Sequence, residues 1–213
     1  MPLHFKVMDY QQLREDLDWW MVYYYSFAPE ERESELVILK SVASETGMAF
    51  SAKDGNVTKG IATVHLLKDI STIFLVYLAI VPSERGKGIG TEFFRFVEES
   101  ATQKLEALGL KSAGMVWEVQ KAGHSIDSLG SASDTRRAFF ERNGGTVLPC
   151  RYIQPPVDGK NLIDMHLMVK SQDGISLSPT TLIKAVYYDK YHRVNEINKK
   201  TLDNLLGTLK KNE

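Results

Sequence analysis

The run Arg85-Gly86-Lys87-Gly88-Ile89-Gly90 is where residue type and spacing first point to chemistry. It follows a long apolar stretch, TIFLVYLAI, that closes on Val81-Pro82. Glycines let a backbone approach a ligand closely and adopt positive φ. When such a turn feeds the N-terminus of a helix, successive N–H groups converge and the helix dipole favours negative charge there. The chemistry this suits is the holding of phosphate on a small molecule. Spacing then separates the known designs. A Walker loop needs GxxxxGK followed by Ser or Thr, and Lys87 does not stand in that position. A dinucleotide fingerprint needs GxGxxG, whereas the glycines at 86, 88 and 90 read GxGxG. An ordinary glycine-rich connection between a strand and a helix is the other reading of the same residues.

The elements that must position this turn can be read from apolar periodicity. The run 72–81 is continuously apolar, which fits a strand buried on both faces. After the turn, Ile89, Phe93, Phe96, Val97, Ser100, Ala101 and Leu105 recur at helical spacing, and Gly109 ends that helix. Upstream, residues 3–8 suit a strand, 10–27 one helix with an aromatic face, and 29–44 a second helix opening on Pro29 and acids. Strands are expected over 47–53 and 57–67, joined by the hairpin signal Asp54-Gly55. Downstream, 111–119 alternates, with Ala113, Met115, Trp117 and Val119 on one face and Val116 and Glu118 on the other. A small-residue loop over 120–133, a helix over 134–143 stopped by Gly144-Gly145, and strands over 146–153 and 162–169 follow. From Ser178 the pattern gives two helices, the second with Leu202, Leu205, Leu206 and Leu209 as its buried stripe.

Composition bounds the classes. The 213 residues are enough for one sizeable core or a domain with an extension. Hydrophobic content of 43% and charged content of 25% fit a globular chain in water. A net charge of −1 gives no global field to recruit nucleic acid or a membrane. The single cysteine, Cys150, rules out an internal disulfide framework and fits a reducing cytoplasm. No basic-then-apolar leader and no apolar run of membrane-spanning length is visible.

The pattern Arg85-x-x-Gly88-x-Gly90 after Val81-Pro82 resembles motif A of the GNAT N-acetyltransferase superfamily. The order of elements over roughly residues 3–170 is similar to that of GNAT domains. DTRRAFFERNGG resembles the helix that in the family carries an aromatic pair, a charged pair and a glycine. With FAPEERE and RYIQPP, the chain resembles a group of poorly characterised bacterial GNAT proteins. The resemblance implies an α/β (α+β) GNAT fold: a central mixed, mostly antiparallel sheet flanked by helices. It implies a domain over 1–172 and a C-terminal helical extension over 173–213. It also implies acetyl-coenzyme A as cosubstrate without a metal, and direct acetyl transfer to an amine in a ternary complex. The acceptor is a small-molecule amine or a peptide amine, and a homodimer through the tail is open. By the same resemblance Ala79, Ile80 and Val81 lie beside the pantetheine arm. The amides of Gly86, Lys87, Gly88, Ile89, Gly90 and Thr91 hold pyrophosphate, and Arg85 and Lys87 add charge.

Transfer to an amine needs a base and a proton for the leaving thiolate. Glu118, near the end of the strand beside the cofactor strand, is the candidate base. A structural or substrate-orienting carboxylate is its alternative role, and Glu31 and Glu33 are weaker candidates. Many GNAT enzymes place a tyrosine second in the aromatic pair, but here the pair is Phe139-Phe140. Tyr152 or solvent is then the candidate proton donor, with a plain strand aromatic as the other reading of Tyr152. His124, Ser125, Asp127 and Ser128 share a loop without a nucleophile elbow. The remaining histidines lack zinc-ligand spacing. Trp19, Trp20, Tyr23, Tyr24 and Tyr25 read as core and one wall of a cleft. A coenzyme A-binding protein that has lost catalysis is the rival function.

Overall fold

The computed structural model describes residues 3–121, 131–157, 159–172 and 176–210. The loop residues His124, Ser125, Asp127 and Ser128 lie outside them. Eight strands form one sheet: β1 (His4–Met8), β2 (Gly47–Asp54), β3 (Val57–Leu67), β4 (Thr72–Ile80), β5 (Gly114–Gln120), β6 (Thr146–Val147), β7 (Tyr152–Gln154) and β8 (Ile163–Ser171). Their order is β1-β2-β3-β4-β5-β8-β6, with β7 also on β8. Every pairing is antiparallel except β4 with β5.

That parallel pair is the feature that positions the site. Its register runs from Thr72 opposite Gly114 to Leu75 opposite Trp117 and stops there. Opposite β3, β4 carries a bulge at Val76, since Thr63 faces Tyr77 while Val64 faces Leu75. An extra residue bends the strand that holds it. Beyond the bulge β4 stays on β3 while β5 stays on β8 through Glu118, Val119 and Gln120. The two parallel strands therefore diverge into a wedge.

Helices cover both faces. On one, α4 (Ile89–Ala107) and α5 (Ser131–Arg142) pack on the sheet. Phe93, Phe94, Val97, Ala101 and Leu105 of α4 meet Leu75, Met115, Trp117 and Val119. Trp117 also explains Gly145: a Cβ there would lie 2.5 Å from the indole. On the other face, α1 (Tyr10–Glu15), α2 (Leu17–Ser26) and α3 (Glu35–Ala43) cover β2 to β4. The C-terminal segments cover β4, β5, β7 and β8: α6 (Pro179–Ala185), a π-helical stretch Val186–His192 continuing it, and α7 (Lys199–Lys210).

Three expectations are corrected. The helix over 10–27 is two helices, because the Asp16 side chain accepts the Trp19 amide at 3.0 Å and starts α2 afresh. Asp16 is held in place by Lys53 at 2.5 Å. The helix over 29–44 is a short 3₁₀ turn, Pro29–Glu31, followed by α3 with Ser34 as N-cap. The strand over 146–153 is two short ones, β6 and β7. The aromatic cluster of α2 is core for Trp19, Trp20 and Tyr23, while Tyr25 is exposed.

One buried ion pair ties the C-terminal segments to the body: Lys190 Nζ lies 2.6 Å from Glu33, with both side chains almost wholly out of water. Asn195 donates to the same carboxylate at 2.8 Å. Removing one partner of such a pair strands a charge and typically costs ~3–5 kcal/mol, more than the pair itself contributes. Lys190→Met should lower unfolding stability by about that amount, read from the denaturant midpoint. Adding Glu33→Gln should restore much of it. A single variant with the wild-type midpoint would contradict this account.

Candidate active site

The glycine turn sits where β4 leaves the sheet. Pro82–Glu84 form a 3₁₀ turn, and α4 begins at Ile89 with Gly88 as its N-cap. Gly86 and Gly88 have φ of 75° and 83°, the left-handed region in which a side chain is strained. No side chain among the described residues caps the helix. Among the described residues, the amides of Gly86, Lys87, Gly88, Ile89 and Gly90 donate to no protein acceptor, so they are open to an anion. The Thr91 amide is different: it donates to the Gly88 carbonyl at 3.0 Å, so the open set ends at Gly90.

Side-chain charge contributes less to the turn than backbone does. Arg85 Nε donates to the Ile80 carbonyl at 3.0 Å and braces the end of β4. Lys87 pairs with Glu84 at 2.9 Å. Gly90 has ordinary backbone, and Phe139 closes over it: a Cβ there would stand 3.3 Å from that ring. Ala79 and Ile80 lie on β4 beyond the bulge, paired with Ile61 and Gly60 of β3, and the Val81 amide donates to the Lys59 carbonyl at 2.9 Å.

Glu118 is the first β5 residue past the last β4 pairing, so it stands at the apex of the wedge. Strand alternation turns it away from Trp117, toward the face covered by the C-terminal segments. Its carboxylate receives three donors there. The Tyr152 hydroxyl donates to Oε1, Gln154 Nε2 donates to Oε2 at 2.7 Å, and the Tyr191 hydroxyl lies 2.8 Å from both oxygens. Burial pushes the Glu118 carboxyl up to about 7, the three donors pull it down, and the nearby Glu33 adds to the rise. Tyr152 and Tyr191 are themselves pushed well above the usual tyrosine range by burial and by this carboxylate.

The other candidates fall into place around this group. Glu33 is committed to Lys190. Glu31 is buried, which raises its carboxyl pKa, while the charge of Arg136 on α5 lowers it. Both glutamates are fixed through their backbones to β4: the Tyr77 hydroxyl donates to the Glu31 carbonyl and accepts from the Glu33 amide, each at 2.8 Å. Of the aromatic pair, Phe140 lies in the core against Trp117, with ring centroids 4.8 Å apart. The aromatic that borders the glycine turn is Phe139. No group of His, Cys, Asp and Glu side chains able to hold a metal occurs among the described residues. No helix among them is long and apolar enough to cross a membrane.

Sequence reasoning missed Gln154, Tyr191 and Lys190. Gln154 carried a signal, since it lies two residues from Tyr152 and so on the same face of one strand. Tyr191 and Lys190 carried none, because their partners are more than 70 residues away in the chain.

The fold has counterparts. The Acetyltransferase (GNAT) family profile matches residues 11–124, over half of the chain, and the chain belongs to that family. A Bacteroides thetaiotaomicron protein described as a GNAT-family acetyltransferase superposes with a TM-score of 0.67 at 18% identity, covering 92% of this chain and 99% of its own. An aminoglycoside 6'-N-acetyltransferase complexed with coenzyme A gives 0.56 at 16%, covering 83% and 99%. The ribosomal-protein-S18-alanine N-acetyltransferase of Escherichia coli gives 0.51 at 16%, also covering 83% and 99%. No curated protein matches the sequence. The family uses acetyl-coenzyme A, and the open amides of the glycine turn fit its phosphates.

The Glu118 environment makes stability depend on pH. A carboxyl whose pKa is raised by folding holds its proton more tightly folded than unfolded. Its contribution is therefore full below the ordinary value of 4.5 and is lost as pH rises toward about 7. Wild-type Tm should fall across that window relative to Glu118→Gln, whose side chain does not titrate. Parallel Tm–pH curves for the two proteins would refute the shift.

Proposed function

We propose that the chain is an N-acetyltransferase that moves an acetyl group from acetyl-coenzyme A to a primary amine by direct transfer. The observation that carries this reading is that two devices border one wedge: open amides where β4 runs on into α4, and a carboxyl of raised pKa at the apex of the β4–β5 parting. Residues 1–172 form the transferase domain, and 173–213 an extension that closes over Glu118. When bound, acetyl-coenzyme A supplies a thioester carbonyl; the amine nitrogen gains the acyl carbon and the carbon–sulfur bond is lost.

The protein's own residues contribute to this reading as follows. The amides of Gly86 to Gly90 hold the pyrophosphate, and the edge of β4 that β5 leaves past Val76, with Ala79, Ile80 and the following Val81, runs beside the pantetheine arm. Glu118 takes the amine proton, directly or through water. A base titrating near neutrality suits that task better than an ordinary carboxylate, whose pKa lies about 6 units below that of an alkylammonium. Tyr152 commits its hydroxyl proton to Glu118, so its role is to hold the base rather than to protonate sulfur. Phe139 and Phe140 have no proton to give, and solvent protonates the thiolate, a weak base with a reference pKa of ~8.5.

A second reading has one observation in its favour. The three donors on Glu118 also suit a structural carboxylate, as in a coenzyme A-binding protein without turnover. Thiol release from acetyl-coenzyme A with a panel of small amines, amino acids and peptides separates the two: none with any acceptor would favour the second.

Two variants test the proposed parts separately. Gly88→Val places a β-branched side chain at a φ of 83° and should weaken coenzyme A binding at least ~10-fold with the fold retained. Unchanged affinity by calorimetry would remove the turn from the site. Glu118→Gln should lower kcat by ~10²–10⁴-fold and leave coenzyme A affinity within a few-fold. Wild-type turnover across the pH range would rule Glu118 out as base.

A further inference from the structure

We propose that Tyr191 is a positioning residue for acyl transfer, holding the Glu118 carboxylate from the C-terminal segment so that this segment completes the active site. The inference rests on the transferase reading above and adds to it a residue that lies beyond the family match at 11–124. Its hydroxyl, 2.8 Å from both Glu118 oxygens, bridges the two while Tyr152 binds one and Gln154 the other. A carboxylate on a short, flexible side chain can rotate; donors arriving from β7 and from the π-helical segment fix both its position and its plane.

Tyr191 is itself held on several sides. Its ring is buried, edge-on to Phe74 of β4 at 6.2 Å and to Tyr187 at 6.5 Å. The preceding residue, Lys190, is anchored by its ion pair with Glu33. The π-helical winding matters here. Bonds such as Arg193 N–H to the Tyr188 carbonyl span five residues, so successive side chains turn through a smaller angle than in an α-helix. Consecutive residues 190 and 191 can then both face the sheet, and both are buried. π-Helical turns are rare and often mark functional positions.

The arrangement forms one chain of contacts across the wedge. It runs from Tyr77 on β4 to the backbone of Glu33, from the Glu33 side chain to Lys190, and from the adjacent Tyr191 to Glu118 on β5. The groups facing Glu118 are Tyr152 and Gln154 of β7, Tyr187 and Tyr191 of the π-helical segment, and Glu33, whose charge Lys190 balances. Of these, the donor hydroxyls and the amide favour the ionised form, so losing one should make Glu118 harder to ionise.

The test is Tyr191→Phe in the full-length protein, which keeps the ring and removes the hydroxyl. The Glu118 carboxyl titration is followed by carbon NMR, assigned with Glu118→Gln, beside the pH profile of kcat/KM for an accepted amine. The expected result is an upward move of about one pH unit in both the titration and the acid limb, from the loss of one hydrogen bond to a charged group. Coenzyme A affinity should stay unchanged. Tyr187→Phe is the control for a merely structural effect, because that hydroxyl donates to the Ile153 carbonyl instead; it should leave the titration and the acid limb in place. An unmoved Glu118 titration in Tyr191→Phe, or an equal move in Tyr187→Phe, overturns the proposal while leaving acyl transfer standing. A wild type that releases no thiol with any amine overturns the transferase reading instead, and a titration shift would then report a structural tie only.

Discussion

The rest of the structure depends on the parting of β4 and β5 after the Leu75–Trp117 pair. Parallel strands that stop pairing in mid-sheet leave backbone donors and acceptors without their ladder partners, a costly state unless something else satisfies them. The bulge at Val76 makes the parting abrupt and confines it to one side, since β3 and β8 keep their pairings throughout. What the wedge suits is therefore set by what can pair with a strand edge. An extended chain of amides, such as a pantetheine arm, matches that requirement; a compact polar ligand does not.

The two sides of the wedge are built from different materials. On the α4 side the groups open to an anion are backbone amides, and glycine is demanded only where φ is positive. On the opposite side the groups are side chains from four segments: Glu33 after α2, Glu118 on β5, Tyr152 and Gln154 on β7, and Lys190 and Tyr191 in the C-terminal segment. Low polarity there strengthens every hydrogen bond and makes an unpaired group expensive. It also explains why the Glu118 carboxyl is raised although three donors surround it: removal from water outweighs them.

This difference in material decided what the sequence could reveal. The strand, the turn and the helix were legible because each rests on local rules: a continuous apolar run, glycines at alternate positions, and a helical stripe from Phe93 to Leu105. Glu118 was legible as a position, since alternation with Trp117 assigned its face. Its environment was not, because Tyr191 pairs with it across 73 residues and Lys190 with Glu33 across still more. Helix breaks were misjudged for a related reason. Asp16 closes α1 with its backbone amide on the Gln12 carbonyl and starts α2 with its side chain, which a salt bridge to Lys53 on β2 holds, and the apolar pattern of 10–27 runs through that break without a change of phase. Which of Phe139 and Phe140 borders the turn follows from packing, as Trp117 and Phe94 draw Phe140 into the core.

The same contrast bears on how freely the sequence can vary around each half. A backbone site constrains few side chains, so most of the sequence around the turn is free to change while the wedge and the helix dipole persist. A side-chain site constrains many at once. Exchanging Tyr191 or Gln154 would leave Glu118 under-satisfied in a buried place, and exchanging Lys190 would strand Glu33. A change at one of those residues is best offset by a matching change at its partner. By that reasoning the glycine turn asks little of the sequence around it, and the group of side chains around Glu118 asks much.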